Sequence, residues 1–147
     1  MYVVFDLDGT LCNDSHRRPL IEREQESKDY DAYHEALVDD TPVKPLVALL
    51  KYLVVGGGTT VEIWTGRPEK YRQPTKAWLQ THLGFFCANR IRRLRMRPTG
   101  DMRDINTVKA EWLEIGNYPD LIFDDRAKTV NFCRSLGITT CQVADNT

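Results

Sequence analysis

Short apolar runs alternate with segments of helical length along most of the chain. The runs are rich in β-branched and aromatic residues, which favour strands, and glycines follow several of the helical segments. The predicted strands cover 2–6, 60–64, 92–96, 121–123 and 139–143, and the predicted helices cover 45–55, 69–83, 104–115 and 127–136. Strands that alternate with helices predict an α/β fold, in which helices cover both faces of a parallel sheet.

A polar, acidic segment at 13–42 interrupts this alternation. Its apolar residues Tyr30, Tyr33, Leu37 and Val38 recur at near-helical spacing, so we interpret it as a small helical insert after the first strand. The length of 147 residues suits one domain that spans 1–147, and 41% hydrophobic with 28% charged residues suits a soluble globular protein. The pattern indicates no particular oligomeric state.

Neither a membrane span nor a secretion signal is predicted. No apolar run approaches the roughly 18 residues of a membrane span, and the start of the chain lacks a basic region followed by an apolar stretch. We therefore expect a cytoplasmic protein with no membrane partner. The four cysteines form no C-x-x-C pair and are predicted to be reduced thiols.

The first predicted strand ends in the stretch FDLDGTL, which places Asp6 and Asp8 two residues apart. Side chains alternate along an extended chain, so these two carboxylates point the same way and repel each other. Asp124 and Asp125 follow the fourth predicted strand. Ligands bind beyond the carboxyl ends of parallel strands, so the four carboxylates are expected to meet at one edge of the sheet. Hard oxygen ligands there predict a magnesium site made by Asp6, Asp8, Asp124 and Asp125.

The same edge collects the groups that phosphoryl transfer requires. With a phosphate beside the metal, Asp6 can attack phosphorus as a nucleophile and Asp8 can act as general acid and base. The Thr65 hydroxyl and the Gly66 amide follow the second strand and can donate to phosphoryl oxygens, and Lys109 supplies a fixed positive charge. Each motif alone is commonplace, whereas their joint occurrence at strand ends indicates a phosphatase.

The motifs FDLDGTL, WTGR, VK and FDDR together resemble the four-motif series of phosphatases of the haloacid dehalogenase (HAD) superfamily. The resemblance implies an aspartyl-phosphate intermediate on Asp6, proton transfer by Asp8, phosphate binding by Thr65 and charge stabilisation by Lys109. It also implies a HAD-like Rossmannoid three-layer sandwich, whose five-stranded parallel sheet has the order 5-4-1-2-3.

Longer stretches are similar to the 3′-phosphatase domain of polynucleotide kinase/phosphatases of the T-even phage type. They are WTGRPEKYRQPTKAWL, MRPTGDMRDINTVK and FDDRAKTVNFCRSLGITTCQVAD. This likeness implies Mg²⁺-dependent hydrolysis of a terminal 3′-phosphate on DNA or RNA, with phosphate recognition by Arg67, Arg97, Arg103 and Arg126. The chain departs from that family in two ways. It lacks the kinase loop G-x-x-x-x-G-K-[ST], and it has Ile105-Asn106-Thr107 where the phage enzyme has an acidic pair before the lysine.

The basic stretch RIRRLRMR leaves two interpretations open. Arg93, Arg95 and Arg97 share one side of the predicted strand, either as the charged protection of an edge strand or as a track for a polyanion. In the second case Tyr71 and Trp78 could stack on bases.

Two other functions compete with a polynucleotide phosphatase. One is a nucleoside monophosphate or small-metabolite phosphatase of the same class. The other is a phosphoacceptor signalling domain, which the motif order and the presence of Asp8 disfavour.

Overall fold

The computed structural model describes residues 1–22 and 28–146. Its strands are β1 (Tyr2–Phe5), β2 (Cys12–Asn13), β3 (Thr41–Pro42), β4 (Thr60–Pro68), β5 (Arg93–Arg97), β6 (Leu121–Arg126) and β7 (Thr139–Asn146). Its α-helices are α1 (Tyr30–Glu35), α2 (Lys44–Gly56), α3 (Arg72–Leu83), α4 (Phe85–Ala88), α5 (Ile105–Glu111) and α6 (Ala127–Ser135).

Five parallel strands form the main sheet, in the order β5-β4-β1-β6-β7. The central strand β1 pairs on both sides, so that Val4 lies between Glu62 of β4 and Ile122 of β6. When only the strands of this sheet are counted, β1, β4, β5, β6 and β7 are its first to fifth strands in chain order. Their order across the sheet from β7 to β5 is then 5-4-1-2-3. The predicted α/β class and sheet are confirmed, and the labels differ because β2 and β3 form a separate ribbon.

The side chains of β1 alternate between two apolar layers. Val3 and Phe5 pack in a cluster that includes Leu50 of α2 and Leu79 of α3, whereas Val4 packs on the other face with Cys133 of α6. Successive side chains of β1 therefore point to opposite faces of the sheet, and both faces are buried. Each face is covered by helices, which is the expected three-layer arrangement.

Helix ends differ from the predicted ones where local chemistry sets them. The predicted helix 69–83 is a 3₁₀ turn (Glu69–Tyr71) followed by α3, with Pro74 in the first turn, where its missing N–H is tolerated. Helix α5 begins after Asp104, whose side chain accepts the N–H of Asn106, and it ends at Glu111 rather than 115. Helix α4 was not predicted and follows Gly84, at φ +79°.

The segment predicted as a helical insert is only partly helical. It contains α1 and the 3₁₀ turns Arg18–Leu20 and Ala36–Asp39, and its residues 23–27 lie outside the described part of the chain. The antiparallel ribbon β2–β3 joins its two ends, pairing Cys12 with Pro42. Strands of two residues carry no periodic signal, so this ribbon was not predicted.

Within the described ranges, no helix combines the length and the apolar character needed to cross a membrane. The four cysteines are free thiols, as predicted, with Cys141 exposed and the other three buried.

Candidate active site

The loop after β1 needs its glycine for two reasons. Gly9 has φ +81°, a left-handed conformation that lets the chain turn back, so that the Gly9 amide donates to the Cys12 carbonyl oxygen over 2.9 Å. A Cβ atom at position 9 would lie 2.3 Å from Oδ2 of Asp125. The turn therefore brings the backbone directly against the acidic end of β6.

Three carboxylates and one ammonium group meet at the carboxyl ends of β1 and β6. Asp6, Asp124 and Asp125 are buried, and each offers a carboxylate oxygen within 4.8 Å of the others. Lys109, from α5, donates to Oδ1 of Asp6 and to Oδ2 of Asp124, each over 2.9 Å. The predicted convergence of these four residues is therefore present in the structure.

Burial and neighbouring charge govern the ionisation of this acidic group. Burial, together with the charges of Asp124 and Asp125, raises the pKa of Asp6 above its usual range against the opposing effect of Lys109. Burial alone lowers the pKa of Lys109, but Asp6 and Asp124 outweigh it and leave that pKa raised. Lys109 thus stays charged and offsets part of the repulsion among the carboxylates.

The acidic group fits a hard divalent cation. Its donors are carboxylate oxygens, the ligands that Mg²⁺ prefers. In addition, Oδ1 of Asp125 is buried without a hydrogen-bond partner among the described residues. A buried anionic oxygen without a donor is costly unless a cation or a water satisfies it. Asp6, Asp124 and Asp125 are therefore the residues that would hold the ion.

The side chain of Asp8 does not join this group, contrary to the expectation that four carboxylates surround one ion. It accepts hydrogen bonds from Arg17 and from NH2 of Arg67, the latter over 2.7 Å. Burial on its own raises the pKa of Asp8, but Arg67 and Arg17 dominate and hold that pKa below its usual range. Two arginines thus provide the counter-charge that the metal was expected to provide.

Arg17 is a site residue that the sequence pattern did not reveal. Its side chain is fully buried and also pairs with Asp40, whose Oδ2 lies 2.6 Å from NH2 of Arg17. A lone arginine in a polar, acidic segment resembles a solvated surface residue, so no signal in the sequence marks it.

Arg67 was predicted to bind substrate phosphate, and in the structure its guanidinium is engaged by groups of the protein itself. Its side chain is fully buried, and its guanidinium donates to Asp8, Thr75 and Asp40. Arg67 supplies a paired cation to the buried carboxylate of Asp40 and to the partly exposed carboxylate of Asp8. Its backbone amide donates over 3.2 Å to Oγ1 of Thr65.

Thr65 and Gly66 lie side by side at the end of β4 but differ in access. Thr65 is fully buried, whereas Gly66 lines an open cavity of about 520 Å³ next to the acidic group. The same cavity is lined by Asp6, Asp8, Lys109 and Asp124 and by the insert residues Tyr30, Tyr33 and His34.

The other three predicted arginines, Arg97, Arg103 and Arg126, also line the cavity. Nε and NH1 of Arg97 donate to the backbone carbonyl oxygens of Gly66 and Asp101. Arg103 is exposed and forms ion pairs with Asp101 and Glu111. The structure thus brings these cations to the cavity wall, where an anion would meet them.

The rest of the basic strand lies apart from the cavity wall. Arg93 and Arg95 both contact Glu114, at 2.8 and 3.1 Å. Tyr71 and Trp78 are buried, and Trp78 donates through its indole N–H to the Asp40 carbonyl oxygen. The prediction that these two rings stack on bases is therefore wrong, because both belong to the interior of the fold.

Solved structures with the same fold include two complexes of Pnkp1, Rnl and Hen1, one of them described as an RNA repair complex. The chain matches them with TM-scores of 0.75 and 0.78 at 26% and 28% identity, and 99% of its length is covered in each case. It spans only 42% and 46% of those neighbouring chains. A haloacid dehalogenase-like hydrolase of Streptococcus pneumoniae matches with a TM-score of 0.63 at 15% identity, covering 95% of this chain and 82% of that one. A search of curated proteins finds no match.

A family model extends over the whole chain. The model described as the polynucleotide kinase PNKP phosphatase domain matches residues 1–147. The five-stranded parallel sheet agrees with the fold of the HAD-like hydrolase among the structural neighbours. The chain therefore belongs to the PNKP phosphatase-domain family and is a phosphatase of the HAD type.

Proposed function

We propose that the protein is a Mg²⁺-dependent phosphomonoesterase that removes a terminal 3′-phosphate from a polynucleotide through an aspartyl-phosphate intermediate. The observation that carries the proposal is the position of Asp6, which lines a cavity of about 520 Å³ together with Arg97, Arg103 and Arg126. A phosphate held by these cations lies in a cavity that also opens to a carboxylate able to attack it.

Asp6 is the nucleophile of this proposal. One of its oxygens forms a bond to phosphorus while the bond from phosphorus to the sugar oxygen breaks. Lys109 donates to Oδ1 of Asp6 over 2.9 Å, which orients the carboxylate and favours its ionised form. A divalent cation held by Asp6, Asp124 and Asp125 would offset the charge of the phosphoryl oxygens.

Asp8 is assigned the proton transfers, to the leaving sugar oxygen and later from the water that hydrolyses the aspartyl-phosphate. Its contacts with Arg17 and Arg67 favour the carboxylate. They support the second step directly, because a carboxylate accepts a proton from water. The first step needs a proton on Asp8, which the same contacts disfavour.

A polynucleotide end suits the cavity better than phosphate alone. The cavity falls within the range of roughly 300–1,000 Å³ that accommodates an organic ligand, and three arginines are among its lining residues. The structural neighbours occur in complexes with Rnl and Hen1, one of them described as an RNA repair complex. We therefore assign DNA or RNA 3′-ends as the substrate class.

A nucleoside monophosphate is the second candidate substrate. Tyr30, Tyr33 and His34 of the insert line one side of the cavity, and a cavity of about 520 Å³ also accommodates a single nucleotide. The chemistry at Asp6 would be the same for either substrate.

The test compares three substrates at equal Mg²⁺: an oligonucleotide with a 3′-phosphate, the matching free nucleoside 3′-monophosphate and a small aryl phosphate. We expect kcat/KM for the oligonucleotide to exceed that for the free nucleotide at least about tenfold, because more of the phosphate-bearing strand contacts the arginines. Asp6→Asn is the control and should lose more than about a thousandfold in kcat. Equal values for oligonucleotide and mononucleotide would establish the second candidate instead.

A further inference from the structure

One oxygen of Asp125 is anchored, and the other has no partner among the described residues. Nδ2 of Asn146 donates to Oδ2 of Asp125 over 2.7 Å, and NH2 of Arg18 lies 3.5 Å from the same oxygen. Oδ1 of Asp125 is buried and accepts no hydrogen bond from residues 1–22 or 28–146. Because a carboxylate is planar, holding Oδ2 fixes the direction in which Oδ1 points.

The Asn146 amide has a defined orientation. Its Oδ1 accepts from NH1 of Arg18 over 2.9 Å, so its Nδ2 is the atom left to face Asp125. An asparagine between a guanidinium and a carboxylate satisfies both neighbours in only one of its two flipped forms, since oxygen accepts and nitrogen donates. Asn146 is therefore a bridge of fixed polarity.

Arg18 is held in turn by the insert. Its Nε donates to Oδ1 of Asp14 over 2.8 Å, and the other oxygen of Asp14 accepts the hydroxyl of Tyr33 over 2.6 Å. Asp14 and Tyr33 are both buried. A continuous chain of hydrogen bonds thus runs from α1 through Arg18 to the carboxylate of Asp125.

An irregularity in the sheet brings Asn146 to this position. Asp124 pairs with Gln142, but Arg126 pairs with Asn146, so β7 advances four residues while β6 advances two. The extra length carries Asn146 past the regular ladder to the edge where Asp125 lies.

We propose that Asn146 and Arg18 are positioning residues for the metal site, which orient Asp125 so that Oδ1 faces the ion and which link the insert to the affinity for that ion. The inference rests on the proposed function for the presence of a divalent cation. Hydrogen bonds behind a ligating carboxylate fix its orientation, and their loss lowers metal affinity about 10–100-fold.

The experiment measures Mg²⁺ binding directly, by titration calorimetry on the protein without substrate. Asn146→Ala should bind Mg²⁺ about 10–100-fold more weakly than wild type, and the exposed neighbour variant Asp145→Asn should bind like wild type. The Mg²⁺ concentration for half-maximal hydrolysis should rise by a similar factor, whereas kcat at saturating Mg²⁺ should stay within about threefold.

A double variant tests whether the two residues act as one unit. Arg18→Ala combined with Asn146→Ala should lose less affinity than the product of the two single losses, because both act on the same oxygen of Asp125. Arg18→Lys retains the charge without the forked contacts to Asp14 and Asn146, so it repeats the test if Asn146→Ala does not fold. Independent, multiplicative losses would overturn the shared role.

Mg²⁺ binding by wild type and by Asn146→Ala distinguishes a failure of this inference from a failure of the proposed function. If wild type binds no Mg²⁺, the metal-dependent part of the proposed function fails, and this inference fails with it. If wild type binds Mg²⁺ and Asn146→Ala binds it equally well, the inference alone is overturned.

Discussion

His34 lies in the cavity wall between two aromatic rings. The centroid of its ring is 5.0 Å from that of Tyr33 and 5.2 Å from that of Tyr71, and its Nδ1 is buried without a partner among the described residues. Burial lowers the pKa of His34 to about 4, with Arg17 and Arg67 acting in the same direction and Asp8 and Asp31 opposing them. The imidazole is therefore neutral near pH 7.

This buried imidazole predicts a loss of stability in acid. An unfolded histidine with a pKa of 6.5 takes up its proton before the folded one does, so the free energy of unfolding falls between pH 6.5 and about 4. The contribution amounts to about 3 kcal/mol once the pH is below both values. His34→Gln removes it, so the variant should lose less stability than wild type when urea unfolding is compared at pH 7.5 and 4.5. Parallel pH profiles would contradict this assignment.

The predictable part of the site consists of residues at strand ends. Asp6, Asp124 and Asp125 follow apolar runs that read as buried strands, so the sequence predicts that they meet at one edge of the sheet. Arg17 and Asn146 could not be found in this way. They lie in polar segments without periodicity, and only the folded insert and the irregular pairing of β7 bring them to the site.

At the scale of elements, strand β5 is anchored to its neighbour through a buried carboxylate. Glu62 of β4 is fully buried and accepts hydrogen bonds from the hydroxyl of Tyr2 and, over 2.9 Å, from the indole N–H of Trp64. Nε of Arg92 lies 3.2 Å from Oε1 of Glu62, and Nε of Arg93 and of Arg95 each lie 3.7 Å from one of its oxygens. These arginines neutralise an interior charge, which favours the edge-strand interpretation of the basic stretch.

Two glutamates that contact the same arginines give a matched comparison. Glu62→Ala should lower the free energy of unfolding by about 1–3 kcal/mol, because it leaves the indole N–H of Trp64 and the hydroxyl of Tyr2 without their acceptor. Glu114 is half exposed, so Glu114→Ala should cost less than about 1 kcal/mol. Urea unfolding of both variants measures the difference. Similar costs for the two would show that burial of Glu62 is unimportant.

The five sheet strands and four of the helices were predictable because periodic apolar residues mark them. The β2–β3 ribbon and α4 are too short to show a period. The polyanion interpretation of the basic stretch requires Tyr71 and Trp78 to be exposed, whereas both are buried. A sequence alone does not distinguish an aromatic residue packed in the core from one exposed beside basic residues.

For the molecule as a whole, Lys109 joins three elements at one point. It reaches from α5 to Asp6 after β1 and to Asp124 in β6, and all three side chains are almost completely buried. The lysine thus contributes to folding as well as to the proposed chemistry.

Lys109→Met should therefore destabilise the protein by about 3–5 kcal/mol in buffer without divalent ions, because two buried carboxylates lose their paired cation. Added Mg²⁺ should restore part of the loss, since an ion that binds only the folded chain stabilises it. Denaturant unfolding with EDTA and with Mg²⁺ measures both effects. Unchanged stability in EDTA would contradict the structural role of Lys109.

The contact between Gly9 and Asp125 also limits how the gene for this protein can vary. Any single-nucleotide change that replaces this glycine adds a Cβ atom, and that atom would overlap the carboxylate of Asp125 at 2.3 Å. Every missense change at codon 9 would therefore strain the turn at φ +81° and displace the carboxylate of Asp125.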